Sequence, residues 1–134
     1  MVKKLPIPDE VRRFILVGIP SVPYLEALLL LRSRPGESWA PALVARRLYV
    51  GEAQAVSLMQ ALVDGGIVAA AADGSYQYSP GDEQLQQVID ALAATYAADL
   101  VGVTTLIHSR VDKRALQLAD AFRWTNPENP PWPR

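Results

Sequence analysis

The residues best equipped for proton chemistry gather late in the chain. His108, the single histidine, is followed by Ser109 and lies within about one helical turn of Thr104, Thr105 and Asp112. That set could pass a proton from imidazole to hydroxyl with a carboxylate to orient the ring. A working relay also needs a nucleophile on a sharp turn or a glycine-rich loop to seat a substrate, and neither accompanies it. The expectation is therefore no catalytic residue and no enzyme. Metal chemistry has as little to build on. There is no cysteine, and one histidine with scattered carboxylates makes no ligand set, so no metal and no cofactor are expected. Val63–Asp64–Gly65–Gly66 has neither the spacing nor the lysine of a nucleotide loop. Asp82 and Glu83 are explained by the positive end of a helix dipole.

Recognition of a macromolecule is the remaining chemistry. Arg46 and Arg47 could grip phosphates or simply form a solvated face, and both readings stay open. In the helix that follows, Glu52, Ala53, Gln54, Ser57, Gln60 and Ala61 point outward by periodicity. Glutamine can read an adenine edge and glutamate can accept from cytosine. The charge map limits this. Residues 1–47 hold eight Lys/Arg against four Asp/Glu, and residues 110–134 hold five against three. Residues 48–109 hold seven acids and no base at all. The net charge of −1 and sequence pI of about 5.8 fall short of a dedicated nucleic-acid binder.

The elements that must position these residues are legible as helices and one hairpin. Pro8–Asp9–Glu10 opens a helix to about Val17, closed by Gly18 and Pro20. Ser21 caps the next, and Tyr24–Leu31 is apolar almost all round, as a central buried helix is. Ser38 is read as the cap of a short helix, Pro41–Leu48. A turn at Tyr49–Val50–Gly51 leads to a second helix, Glu52–Asp64, with Ala55, Leu58, Met59 and Leu62 on one apolar stripe. After Gly65–Gly66, two arms within Ile67–Ser79 flank Asp73–Gly74, a strong hairpin signal, although four alanines favour helix over strand. Ser79 is read as the cap of a long helix continuing nearly to Arg110. Its stripe is Leu85, Ile89, Leu92, Tyr96, Leu100, Val103 and Ile107, and its length would be about 45 Å. A last helix is expected at Asp112–Trp124, then a Pro-rich tail, 125–134.

The pattern Leu48, Val50, Ala55, Met59, Leu62, Gly66, Ile67, Val68 resembles that of winged helix-turn-helix transcriptional regulators of bacteria, with a layout similar to the MarR-like group. The resemblance covers about Val22–Ser79. It implies a mainly α fold with a small β-hairpin, a winged helix-turn-helix flanked by N- and C-terminal helices. The corresponding division is an arm and helix at 1–20, the winged unit at 21–79, dimerisation helices at 80–124 and the tail. It also implies a homodimer binding duplex DNA, with Glu52–Gln54, Ser57 and Gln60 near bases and a wing at Asp73, Gly74 and Ser75 near the backbone. Phosphate contacts would come from Arg46, Arg47, the N-terminal arm and Arg110, Lys113 and Arg114. The alternative is a winged-helix module that has lost DNA and binds another protein. No apolar run reaches the ~20 residues of a membrane span, and Met1–Pro6 lacks the apolar core of a secretion signal, so a cytoplasmic location and no membrane partner are expected.

Overall fold

A computed structural model describes residues 6–109 as six helices and a two-stranded antiparallel hairpin. Their order is α1 (Asp9–Gly18), α2 (Val22–Arg32), α3 (Pro41–Leu48), α4 (Glu52–Asp64), β1 (Val68–Ala70), β2 (Tyr76–Tyr78), α5 (Glu83–Ala98) and α6 (Leu100–Ser109). The chain is mainly helical with a small hairpin, as its periodicities predict. The expected last helix, the tail, Asp112, Arg110, Lys113 and Arg114 lie outside the described residues, as does most of the N-terminal arm.

Helix α2 is the hub. Ser21 caps it, its Oγ accepting from the Tyr24 N–H at 3.3 Å, and Pro23 falls in the first turn, where no N–H is missed. Tyr24, Leu25, Ala27, Leu28 and Leu31 are buried, and α2 packs on α3, α4 and β2. Each fully buried leucine contributes roughly 1.5–3 kcal/mol relative to exposure. Glu26 alone in the middle of this helix stays in solvent. Helix α1 meets α2 at 114° across Ile19–Pro20 and lays Val11 and Ile15 into the core, packing on α5.

The hairpin register pairs Val68 with Tyr78, Ala69 with Gln77 and Ala70 with Tyr76. Its tip is a three-residue loop, not a two-residue Asp–Gly turn. Gly74 N donates to Ala71 O at 3.1 Å, Ala71 N donates to Ser75 O at 2.8 Å, and Gly74 alone at the tip has positive φ, 85°. This is the type I turn with a left-handed glycine that commonly follows it. The alanine-rich first arm is strand over Val68–Ala70, because glycines end α4 before it and pairing with β2 captures it, while Ala71 and Ala72 lead into the turn.

Three sequence expectations are corrected. Ser38 does not cap α3. The cap position is Ala40, without a side-chain bond, because Trp39 is drawn into a bridge with Tyr76 and the helix starts after it. Ser79 does not cap α5. Ser79 N donates to Ile67 O and Gly81 N to Gly66 O, both at 2.9 Å, so this stretch continues beside the hairpin strand. The cap is Asp82, whose Oδ1 accepts from Leu85 N at 2.7 Å.

The largest correction concerns the long helix. It breaks at Asp99 (φ −146°, ψ 67°), and α5 and α6 stand at 114°. Asp99 N donates to Thr95 O at 2.8 Å and closes α5. Its Oδ1 accepts from Gly102 N at 2.9 Å and opens α6, the work of an N-cap. A Cβ at residue 102 would meet that carboxylate, which is why a glycine suits the position. No single helix among the described residues is long and apolar enough to cross a membrane.

Candidate functional site

Helices α3 and α4 pack on one another and are joined by Tyr49, Val50 and Gly51. Val44, Ala45, Ala55, Leu58, Met59 and Leu62 are buried between them and α2. Leu43, Leu48 and Val50 are partly buried against the same cluster. Packing on this side turns the other side of α4 outward. Glu52, Ala53, Gln54, Val56, Ser57 and Gln60 are exposed, so the polar row read from periodicity is where periodicity puts it. Gln60 is partly engaged, its Nε2 donating to Asp64 Oδ1 at 3.1 Å. Ala61, also read as outward, is half-buried.

Arg46 and Arg47 are exposed in the last turn of α3. The negative end of the helix dipole favours cations there, so their place has a local electrostatic reason as well as a recognition one. The next residue but one, Tyr49, closes α3 in the left-handed conformation (φ 58°, ψ 44°). Glycine normally takes this position, and a tyrosine there costs about 1–2 kcal/mol. Its side chain is 94 % exposed, so packing within the chain does not offset the cost. Gly51, the glycine of this turn, has ordinary φ, −68°. Nothing in the residue pattern marks Tyr49, since helix C-caps are usually found by their glycine.

The hairpin tip carries the acid anticipated there. Asp73 Oδ1 accepts from Ser75 Oγ at 2.6 Å and Ser75 N at 3.0 Å. The Ser75 hydroxyl, then the Ser75 backbone N–H, hold the Asp73 carboxyl below its ordinary range. The carboxylate at the tip is tied to its own loop. Beyond it, Ala69–Ala72 are exposed and uncharged.

Of the residues drawn as a proton relay, Asp112 lies outside the described residues and the others stand on α6. His108 and Thr105 are exposed on α6, and Thr104 Oγ1 donates to Leu100 O at 2.7 Å, back into its own helix. A shallow groove of about 540 Å³ runs between Pro6–Ile7, Arg12 on α1 and Val101, Thr105 and Leu106 on α6. No group of three or more metal-ligating side chains occurs among the described residues.

The stripe read as a dimer interface divides in two. Ile89, Leu92, Val103 and Ile107 are fully buried in the chain's own core. Leu85 and Tyr96 are half-buried, and Leu100 is exposed beside Val101. The bend at Asp99 folds the stripe onto the body of the chain, so its need for cover is met at four of seven positions within one molecule. Comparison with family models, with curated proteins and with solved structures returns no match for this chain.

Proposed function

We propose that residues 22–79 form a winged helix-turn-helix and that the chain is a DNA-binding transcriptional regulator of modest affinity. The observation that supports the reading is the exposed face of α4, with Glu52, Gln54, Ser57 and Gln60 in solvent beside the paired exposed cations Arg46 and Arg47. The Trp39–Tyr76 bridge supports the winged arrangement, adding a third extended segment to the hairpin. In this reading α4 lies in the major groove, where its glutamines meet base edges. The arginines supply phosphate neutralisation from the end of α3, and the tip of the hairpin at Asp73, Gly74 and Ser75 passes near the backbone without gripping it. As a homodimer the chain presents two such faces to two half-sites, with Leu85, Tyr96 and Leu100 as the part of the interface left on the surface.

A second reading has its own observation. Every described element after α3 lacks Lys and Arg, and Val56 is exposed amid the polar row of α4. A duplex repays cations above all, whereas a protein partner is content with a neutral face carrying an apolar residue. Under that reading the same α4 face binds another protein. Fluorescence anisotropy with a pool of random duplexes at about 50 mM salt separates the two. Saturable binding that falls away in an Arg46→Ala, Arg47→Ala double variant supports the regulator. No binding to any duplex rejects it and moves the interaction module ahead.

A further inference from the structure

We infer that Tyr49 is a duplex-contact residue, its phenol donating to a backbone phosphate beside those held by Arg46 and Arg47. The inference rests on the DNA-binding reading and assigns that site a residue that charge alone does not reveal. Three observations carry it. Tyr49 is the one non-glycine residue with positive φ among the described residues. Glycine would occupy the position without strain, and the bond that closes α3, from Tyr49 N to Ala45 O, is a backbone bond that glycine would keep. The side chain is also the most exposed of the large hydrophobic residues, at 94 %, so the fold gains no packing from it. Strain kept without local return is characteristic of residues that act on something outside the chain.

Position supplies the occupant. Tyr49 stands two residues after Arg47 and three before Glu52, between the exposed cations of α3 and the polar row of α4. A phosphate drawn in by the arginines would meet a neutral donor on a short, stiff side chain. Tyrosine is among the residues that make such backbone contacts, which set register and carry no base information. Within the cation-free stretch 48–109 it is the exposed side chain that combines a hydroxyl donor with a broad apolar ring.

The test uses the full chain in three forms, wild type, Tyr49→Phe and Tyr49→Gly, measured for Tm and for anisotropy against the random duplex pool. The expected result is a Tm that holds or rises in Tyr49→Gly while its affinity for all duplexes falls about tenfold, the scale of a lost bond to a charged group. Tyr49→Phe should keep its Tm and lose nearly as much affinity, which isolates the hydroxyl. Unchanged affinity in Tyr49→Gly overturns the inference and leaves the regulator reading standing. A parallel fall of Tm and affinity makes Tyr49 structural and likewise overturns it. A wild-type chain that binds no duplex overturns both, so the two failures are told apart.

Discussion

Trp39 and Tyr76 exchange both backbone hydrogen bonds, Trp39 N to Tyr76 O at 2.7 Å and Tyr76 N to Trp39 O at 2.9 Å. They join the segment before α3 to the second hairpin strand, and the indole is almost fully buried. The bridge therefore ties the start of α3 to the hairpin that follows α4. The backbone part of this link survives substitution, but the side-chain part does not. Trp39→Ala should cost about 3–5 kcal/mol. Trp39→Phe should cost much less, because the buried indole Nε1–H meets no acceptor among the described residues and phenylalanine removes that donor. Urea denaturation followed by circular dichroism checks the order of the two.

Three tyrosines have phenols raised by burial, and the two more buried, Tyr24 and Tyr78, tie stability to alkaline pH most strongly. Burial, with a smaller push from Asp64, raises the Tyr24 phenol above its ordinary value. Burial also raises Tyr78, with Asp90 adding to the shift and Arg32 opposing it; those two side chains pair at 3.0 Å. A phenol harder to ionise in the folded chain than in the unfolded one stabilises the fold fully below the unfolded pKa, about 10. That stability is lost as pH rises through the folded value. Tm should hold from neutral pH to about 9 and then decline. Tyr78→Phe should blunt the decline without loss at neutral pH, since the buried Tyr78 hydroxyl has no hydrogen-bond partner among the described residues. A decline equally steep in Tyr24→Phe, Tyr78→Phe would refute this origin.

Local signals explain where the sequence reading succeeded. Pro41 inside the first turn of α3, the 3.6-residue stripe Ala55, Leu58, Met59, Leu62 and the Gly65–Gly66 stop bound the pair α3 and α4 at Pro41–Leu48 and Glu52–Asp64, as read. The misreadings have non-local or silent causes. Ser79 looked like a cap until Ile67 and Gly66 captured the segment through bonds across the hairpin, which no neighbouring residue announces. At Asp99 the three-and-four spacing of Leu100, Val103 and Ile107 runs on without a phase change, so periodicity hid the bend. Only Asp99 with Gly102 three positions later marked it. Of the candidate site, α4's outward row was legible from period alone, whereas Tyr49 required the backbone angle.

The bend changes what substitutions in the stripe should do. Leu92 is fully buried and Leu100 is 55 % exposed, although one periodic stripe carries both. Leu92→Glu should place an unpaired carboxylate in the core and unfold the chain rather than release a folded subunit. Leu100→Glu should leave Tm nearly unchanged. If α6 contributes to a homodimer, the Leu100→Glu chain runs as a folded monomer in light scattering at tens of micromolar while the wild type runs as a dimer. Equal masses for the two would remove Leu100 from any interface.

On the proposal that the chain binds duplex DNA, salt dependence reports how many copies bind one duplex. Each chain offers Arg46 and Arg47 beside α4 and no cation on α4 itself. Two phosphates neutralised by one chain predict that log K falls with log salt at a slope of roughly −1.8, and four neutralised by a dimer predict roughly −3.6. Arg46→Ala, Arg47→Ala should flatten either slope and weaken all sequences alike, because phosphate contacts carry no base information. Gln54→Ala should instead leave the slope alone and change which sequences bind best. Anisotropy titrations across a salt series measure both effects. A slope much steeper than −3.6 would mean that cations outside the described residues dominate, and it would displace α3 as the main source of affinity.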